Sequence, residues 1–224
     1  MTAGIAAGTQ SAHTRATLLR FLLVVFLVMK VAAVGSAWSQ RSMLVEVRDG
    51  VQLTPERASA NDDRERLIAR VSLALFIGTA ICWLFWQHRS YSNLLLVGNR
   101  ATDLTPGESV GYWFIPFINL YQGYRITAEL YRRSEIKNFR NPIDSGAPLV
   151  GAWWLLYLVW GGTGRFESMS FKSASTVDSL ISVTNIELVN EIAAIVVTIL
   201  ALQVIRTIDR FQQEFPVTDQ VPAQ

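Results

Sequence analysis

Leu18 to Trp38 reads LLRFLLVVFLVMKVAAVGSAW, and this stretch decides the class of fold. At about 1.5 Å per residue it is long enough to cross the roughly 30 Å of a bilayer's hydrocarbon. Arg15 and Arg20 precede it, and Gly35-Ser36-Ala37 follows in a small-x-small pattern, so a secretory signal peptide is the competing reading. Lys30 interrupts the apolar run, and the run is long for a signal core. An uncleaved span is therefore expected.

Working outward, further windows have the same character. Leu67 to Trp86 (LIARVSLALFIGTAICWLFW) and Leu188 to Arg206 are apolar and of membrane length. Residues 148–164 (PLVGAWWLLYLVWGGTG) are nearer the short limit and rich in Trp, which favours the membrane interface. Val110 to Tyr121 (VGYWFIPFINLY) is too short to cross, and with Pro116 at its centre it suits a re-entrant or interfacial segment. The composition agrees. Of the 224 residues, 50% are hydrophobic and only 17% charged, against roughly 25% charged in soluble domains. The mean hydropathy is +0.27. A net charge of +2 gives no reason to expect nucleic acid, and the single Cys82 excludes an intramolecular disulfide. Cys82, inside an apolar window, reads as a small buried hydrophobe.

The expected fold is an all-α membrane protein with four transmembrane helices and an interfacial or re-entrant amphipathic helix between the second and third. Its expected parts are an N-terminal tail (1–17), spans at 18–38, 67–86, 148–164 and 188–206, and a charged loop (39–66). A loop carrying interfacial helices (87–147), a third loop (165–187) and a C-terminal tail (207–224), disordered after Phe215, complete it. Placing both termini inside puts more Lys and Arg on the cytoplasmic side than outside, the arrangement the positive-inside rule favours. The 87–147 loop is then cytoplasmic. Within it, residues 121–135 carry Tyr124, Ala128 and Tyr131 at helical spacing among charged residues, an amphipathic helix. Arg132, Arg133, Lys137 and Arg140 crowd its end and are candidate anionic-lipid contacts, each worth about 1 kcal/mol near a charged leaflet. The plainer reading is a solvated positive-inside cluster.

Catalytic signals are thin. Gly107-Glu108-Ser109-Val110-Gly111 matches G-x-S-x-G literally, but such a serine needs a strained strand-to-helix turn and a nearby base. The approach, Ala101 to Pro106, does not read as a strand. Pro106-Gly107 reads as a turn, with Ser109 or Thr105 capping a following helix. His13 and His88 lie outside the apolar spans, so one chain cannot supply bis-histidine haem ligation. Dinucleotide, P-loop and zinc-protease fingerprints are absent from the sequence. No catalytic residue, cofactor or metal site is expected, and the chain reads as a non-enzyme.

Charges inside the apolar windows are the sharper clue, since each costs about 3 kcal/mol at mid-bilayer. Lys30 lies near the middle of the first window, and Asn190 and Glu191 near the start of the last. With the first span rising and the last descending, Lys30 and Glu191 approach the same depth, a candidate intramembrane polar pair. One reading is a proton, ion or substrate relay. The other is a pair that fixes helix register, or a lysine that snorkels to the surface.

The middle of the chain carries a more specific pattern. Trp86-x-x-Arg89-x-x-x-Asn93 sits on one helical face, Pro106-Gly107 follows, and then comes Gly111-Tyr112-Trp113-Phe114-Ile115-Pro116-Phe117-Ile118-Asn119-Leu120. This resembles the bacterial membrane family known as domain of unknown function 4328, over roughly Leu67 to Arg206. Such sequences commonly place a second proline after the Asn-Leu pair, where this chain has Gln122-Gly123. The resemblance implies a multi-span inner-membrane protein and brings no activity, cofactor or substrate with it. Trp86, Arg89, Asn93, Pro106, Gly107, Gly111, Trp113, Pro116 and Asn119 are its motif positions. Pro116 lacks a backbone donor and breaks a helix, which at membrane depth is tolerated only against protein or a watery cavity. Arg89, Asn93 and Asn119 are placed to satisfy the freed groups. The expected role is that of a scaffold or accessory subunit of a membrane complex, partnered by the bilayer, other subunits or itself. The alternative is a small transporter or channel component built on Lys30, Glu191 and the Pro116 break.

Overall fold

A Schellman turn closes the first helix. Gly50 adopts φ +94°, Gly50 N–H donates to Val47 O (3.1 Å), and Val51 N–H donates to Glu46 O (3.0 Å). A left-handed residue at that position costs glycine nothing, and the two reverse bonds satisfy carbonyls the helix leaves open. Five residues later α2 starts at Pro55, and the Thr54 hydroxyl accepts from Arg57 N–H (3.3 Å).

The computed structural model describes residues 2–97, 104–135 and 147–215. Among them the elements are α1 (Thr2–Arg48), α2 (Pro55–Leu96), α3 (Pro106–Gly111), a 3-10 turn (Tyr112–Phe114), α4 (Ile118–Ser134), α5 (Pro148–Ser173) and α6 (Val177–Gln213), with no strand. Three helices are long and apolar enough to cross a membrane: Gly4–Arg48, Pro55–Leu96 and Val177–Gln213. The fourth expected span lies in α5 and is not among them. Its length suffices, but Gly151, Trp153, Trp154, Tyr157, Trp160, Gly161, Gly162 and Gly164 dilute its aliphatic content.

The helices overrun their apolar windows. Residues 39–66, expected as a charged loop, are helical except for the 49–54 connection, and 165–187 is helical except for 174–176. Residues 2–17 of the expected tail are the start of α1, and α6 continues to Gln213. Hydropathy marks where a helix meets lipid, not where it ends. The polar extensions hold helical form through pairs such as Arg66 Nη1–Asp63 Oδ1 (2.7 Å), and Arg57 Nη1 reaches Glu46 Oε2 across the hairpin (2.6 Å). The rest of the expected C-terminal tail, 216–224, lies outside the described residues.

Burial on α1 follows a seam. Ala12, Ala16, Leu19, Leu23, Phe26, Lys30, Ala33 and Ala37 are buried, at steps of three and four. Steps of this kind keep one stripe of a helix facing its neighbours. Leu18, Phe21, Val24, Val28 and Val31 on the other side are exposed. Lys30 thus occupies a core position of the stripe. Cys82, by contrast, is only half-buried, so its expected core placement is corrected. Its neighbours Trp83 and Trp86 fill the interior instead.

The chain divides into two compact units, to both of which all four long helices contribute. One comprises Met1–Leu22, Thr79–Trp154 and Leu200–Gln224, and the other Leu23–Gly78 and Leu155–Ile199. In the first, Trp86, Tyr91, Leu94, Ile126, Leu130, Val150, Ile205 and Ile208 are fully buried. In the second, the middle of α2 is the bare element. Leu67, Leu73 and Ile77 are exposed, and only 6% of the most apolar stretch of α2 is buried by the chain itself.

Candidate functional site

The second unit holds a polar centre. Lys30 on α1 is 7% exposed and places Nζ 3.0 Å from Glu191 Oε1 on α6, with the Phe26 ring 5.3 Å away on its own helix. The second Glu191 oxygen, Oε2, is buried and has no hydrogen-bond partner among the described residues. Asn190 does not join the ion pair. Its side chain accepts from Thr163 Oγ1 on α5 (2.8 Å) and also hydrogen-bonds Glu167. Gly164 lies against the same amide, with its position for a Cβ 3.5 Å from Asn190 Nδ2.

Around the pair stand carboxylates that the sequence reading did not single out. Glu65 of α2, Glu167 of α5 and Glu191 of α6 all act electrostatically on Glu187, as does Lys30. Ser36 Oγ donates to Glu65 Oε1, Arg64 Nε donates to Ser36 Oγ (2.7 Å), and Arg64 Nη2 donates to Asn61 Oδ1 (2.7 Å). Glu187, Asn190 and Glu191 are spaced i, i+3, i+4, and Thr163 and Glu167 i, i+4. Helical spacing of polar residues beside an apolar window was the available signal.

The first unit organises the motif residues. Trp83 Nε1 donates to Gln87 Oε1 (2.7 Å), and Gln87 Nε2 donates to Ser109 O (2.8 Å), so α2 holds α3 by its backbone. Trp86 is fully buried, its indole N–H without a partner among the described residues. Arg89 Nε donates to Gly8 O (3.3 Å), and Asn93 Nδ2 donates to Gln212 Oε1 (3.0 Å). Gln212 Nε2 in turn donates to Ser90 O (3.0 Å) and Ser134 Oγ (3.1 Å). These groups tie α1, α2, α4 and α6 together through polar bonds, and among the buried ones each unmade bond costs about 1–3 kcal/mol.

The Pro106-Gly107 pair is not a turn. Both residues are the first positions of α3, and Thr105 caps them. Thr105 N–H donates to Glu108 Oε2 (2.7 Å) while Glu108 N–H donates to Thr105 Oγ1 (3.2 Å). The Thr105 backbone N–H first, and its hydroxyl second, hold the Glu108 carboxyl below its ordinary value. Ser109 is fully buried and donates to Pro106 O (2.7 Å), a helix-internal role. Gly107 and Gly111 have open space where a Cβ would go.

At Pro116 the chain makes a tight turn. Ile118 N–H donates to Pro116 O (2.8 Å) across Phe117, whose φ of 64° and ψ of −41° form a γ-turn of the rare positive-φ kind. For a non-glycine residue such a backbone costs about 1–3 kcal/mol. Asn119 Nδ2 donates to Trp113 O (3.4 Å), and Asn119 N–H to Ile115 O (3.1 Å). Pro116 and Asn119 therefore shape and bind the turn. Beyond it Trp154 Nε1 donates to Leu120 O (2.9 Å), and its ring lies close against Gly123. Trp83 and Trp153 stack at 5.0 Å, and Trp113 meets Trp154 edge-on at 5.7 Å.

A family model described as domain of unknown function (DUF4328) matches residues 49–210. The chain belongs to the DUF4328 family. No curated protein and no solved structure matches. The DUF4328 match takes in α2 through nearly all of α6, so it includes the aromatic motif and Glu191 but not Lys30. Arg132 and Arg133 are half-buried at the end of α4; Lys137 and Arg140 lie outside the described residues.

Proposed function

We propose that the protein is a non-catalytic integral membrane protein of the bacterial inner membrane that serves as a scaffold or accessory subunit. In this reading α5 crosses beside α1, α2 and α6, both termini are cytoplasmic, and α3 and α4 lie at the interface. The supporting observation is the bare middle of α2, of which only 6% is buried by its own chain. A helix so open is suited to lipid or to another subunit as its neighbour. Purification in mild detergent with mass spectrometry of intact assemblies tests it. Stoichiometric partners uphold the subunit role, and a chain that is always alone removes it.

A second reading rests on charge balance. Glu65, Glu167 and Glu191 all lie within electrostatic reach of Glu187, as does Lys30, and Arg64 pairs with Glu65. A pair that only sets register needs one carboxylate per cation. An excess of carboxylates in an apolar setting favours taking up protons or cations, as in a small transporter or channel component. Proteoliposomes with an internal pH dye decide this: flux abolished by Glu187→Gln supports it, and absence of flux from the reconstituted protein rejects it.

A further inference from the structure

We propose that the loop from Phe114 to Tyr121 is a prong that inserts into the headgroup–acyl boundary of a phospholipid leaflet, with Phe117 at its tip. The inference deepens the membrane reading above and rests on it. Phe114 is 70% exposed, Phe117 85% and Tyr121 66%, and Leu120 between them is also exposed. A run of large apolar side chains this open is a contact surface, not a stray leucine or two. In water, the strained γ-turn would hold an aromatic ring outward with nothing gained. Set in a bilayer interface, it aims the ring at an environment that suits it, since aromatic side chains concentrate at that depth.

The turn is built to keep that aim. Pro116 fixes its own φ, the Ile118 N–H closes the turn onto Pro116 O, and the Asn119 side chain holds Trp113 O behind it. Burial holds the base: α4 packs Gly123, Ile126, Thr127 and Leu130 inward, and Trp154 clamps Leu120 O. In the same unit Phe85, Leu95 and Leu96, near the end of the membrane-length helix α2, are exposed as well.

The test uses full-length protein carrying Cys82→Ala, with Phe117→Cys labelled by an environment-sensitive fluorophore, in vesicles of phosphatidylcholine and phosphatidylglycerol. Phe114→Cys serves as a second label site, and Phe85→Cys on α2 as the membrane reference. Lipids bearing a nitroxide near the headgroup end of the acyl chain are expected to quench the 117 label several-fold more than aqueous iodide does. Lipid quenching at 85 without it at 114 and 117 overturns the prong while leaving the membrane reading intact. Failure of lipid quenching at all three sites overturns the membrane reading itself. Protection at 114 and 117 from both quenchers identifies a protein partner as the occupant and also overturns the proposal.

Discussion

Lys30 Nζ and Glu191 Oε1 meet at 3.0 Å between the first and last helices, while the other Glu191 oxygen is buried without a partner. Removing one member of a buried pair leaves a charge with nothing to answer it, at a cost of about 3–5 kcal/mol, whereas replacing both by apolar groups is often neutral. Lys30→Met is therefore expected to lower thermal stability in detergent sharply, and Lys30→Met with Glu191→Leu to recover most of the loss. A single variant as stable as the parent would remove the pair from any structural role.

Gly123 tolerates nothing larger. A Cβ there would overlap the Trp154 ring, which is held in place by its bond to Leu120 O. Gly123→Ala is expected to cost about 1–3 kcal/mol through overpacking. Gly107→Ala and Gly111→Ala meet open space and should change the melting temperature little. Comparing the three by thermal unfolding separates packing from mere membership of the motif.

A similar close approach occurs at Gly8, where an added Cβ would lie 2.5 Å from Arg89 Nη2 and 2.7 Å from Asn93 Oδ1. Gly8→Val should displace Arg89 from the Gly8 carbonyl and loosen α1 from α2. Proteolysis of the N-terminal turns of α1 is expected to accelerate in the variant. Equal cleavage rates would show that the Arg89 contact does not hold that end.

Much of this architecture could be read from residue order, and the rest could not, for identifiable reasons. Helical character, three of the membrane-length segments and the family were legible, because apolar length and an aromatic motif are local properties. Helix ends were not. The Glu- and Arg-rich stretch after Trp38 looked like a loop, yet Gly50 and Thr54 confine the break to 49–54. Depth placed Lys30 near Glu191, but the Glu65, Glu167 and Glu187 cluster depends on which helices become neighbours, a non-local fact. Pro106-Gly107 read as a turn because both residues favour turns, whereas here the Thr105 cap makes them the start of a helix.

That cap should be sensitive to acid. Thr105 N–H and hydroxyl lower the Glu108 carboxyl below its ordinary value, so the ionised form stabilises the folded helix start. A group lowered in the folded state contributes fully above the ordinary carboxylate range, and the contribution is lost as pH falls through its folded value. Amide protection at Glu108 and Ser109 is expected to drop selectively in acid, and Glu108→Gln to abolish that pH dependence. Thr105→Ala should cost about 1 kcal/mol at neutral pH. Protection that tracks pH identically in wild type and Glu108→Gln would show that another group is responsible.

Phe117 offers a separation of strain from contact. Its positive φ penalises any residue with a Cβ, so Phe117→Ala keeps the backbone cost while removing the ring, and Phe117→Gly removes both. Because the ring is 85% exposed, little packing within the chain is lost in either variant. Phe117→Gly is therefore expected to be more stable in detergent than Phe117→Ala by about 1 kcal/mol, even after the larger unfolded-state entropy of glycine. If the ring's purpose lies outside the chain, both variants should also lose the same amount of affinity or depth at a lipid surface, whatever their stability in detergent. Equal melting temperatures for the two would mean that the turn at Phe117 is not held against its own preference.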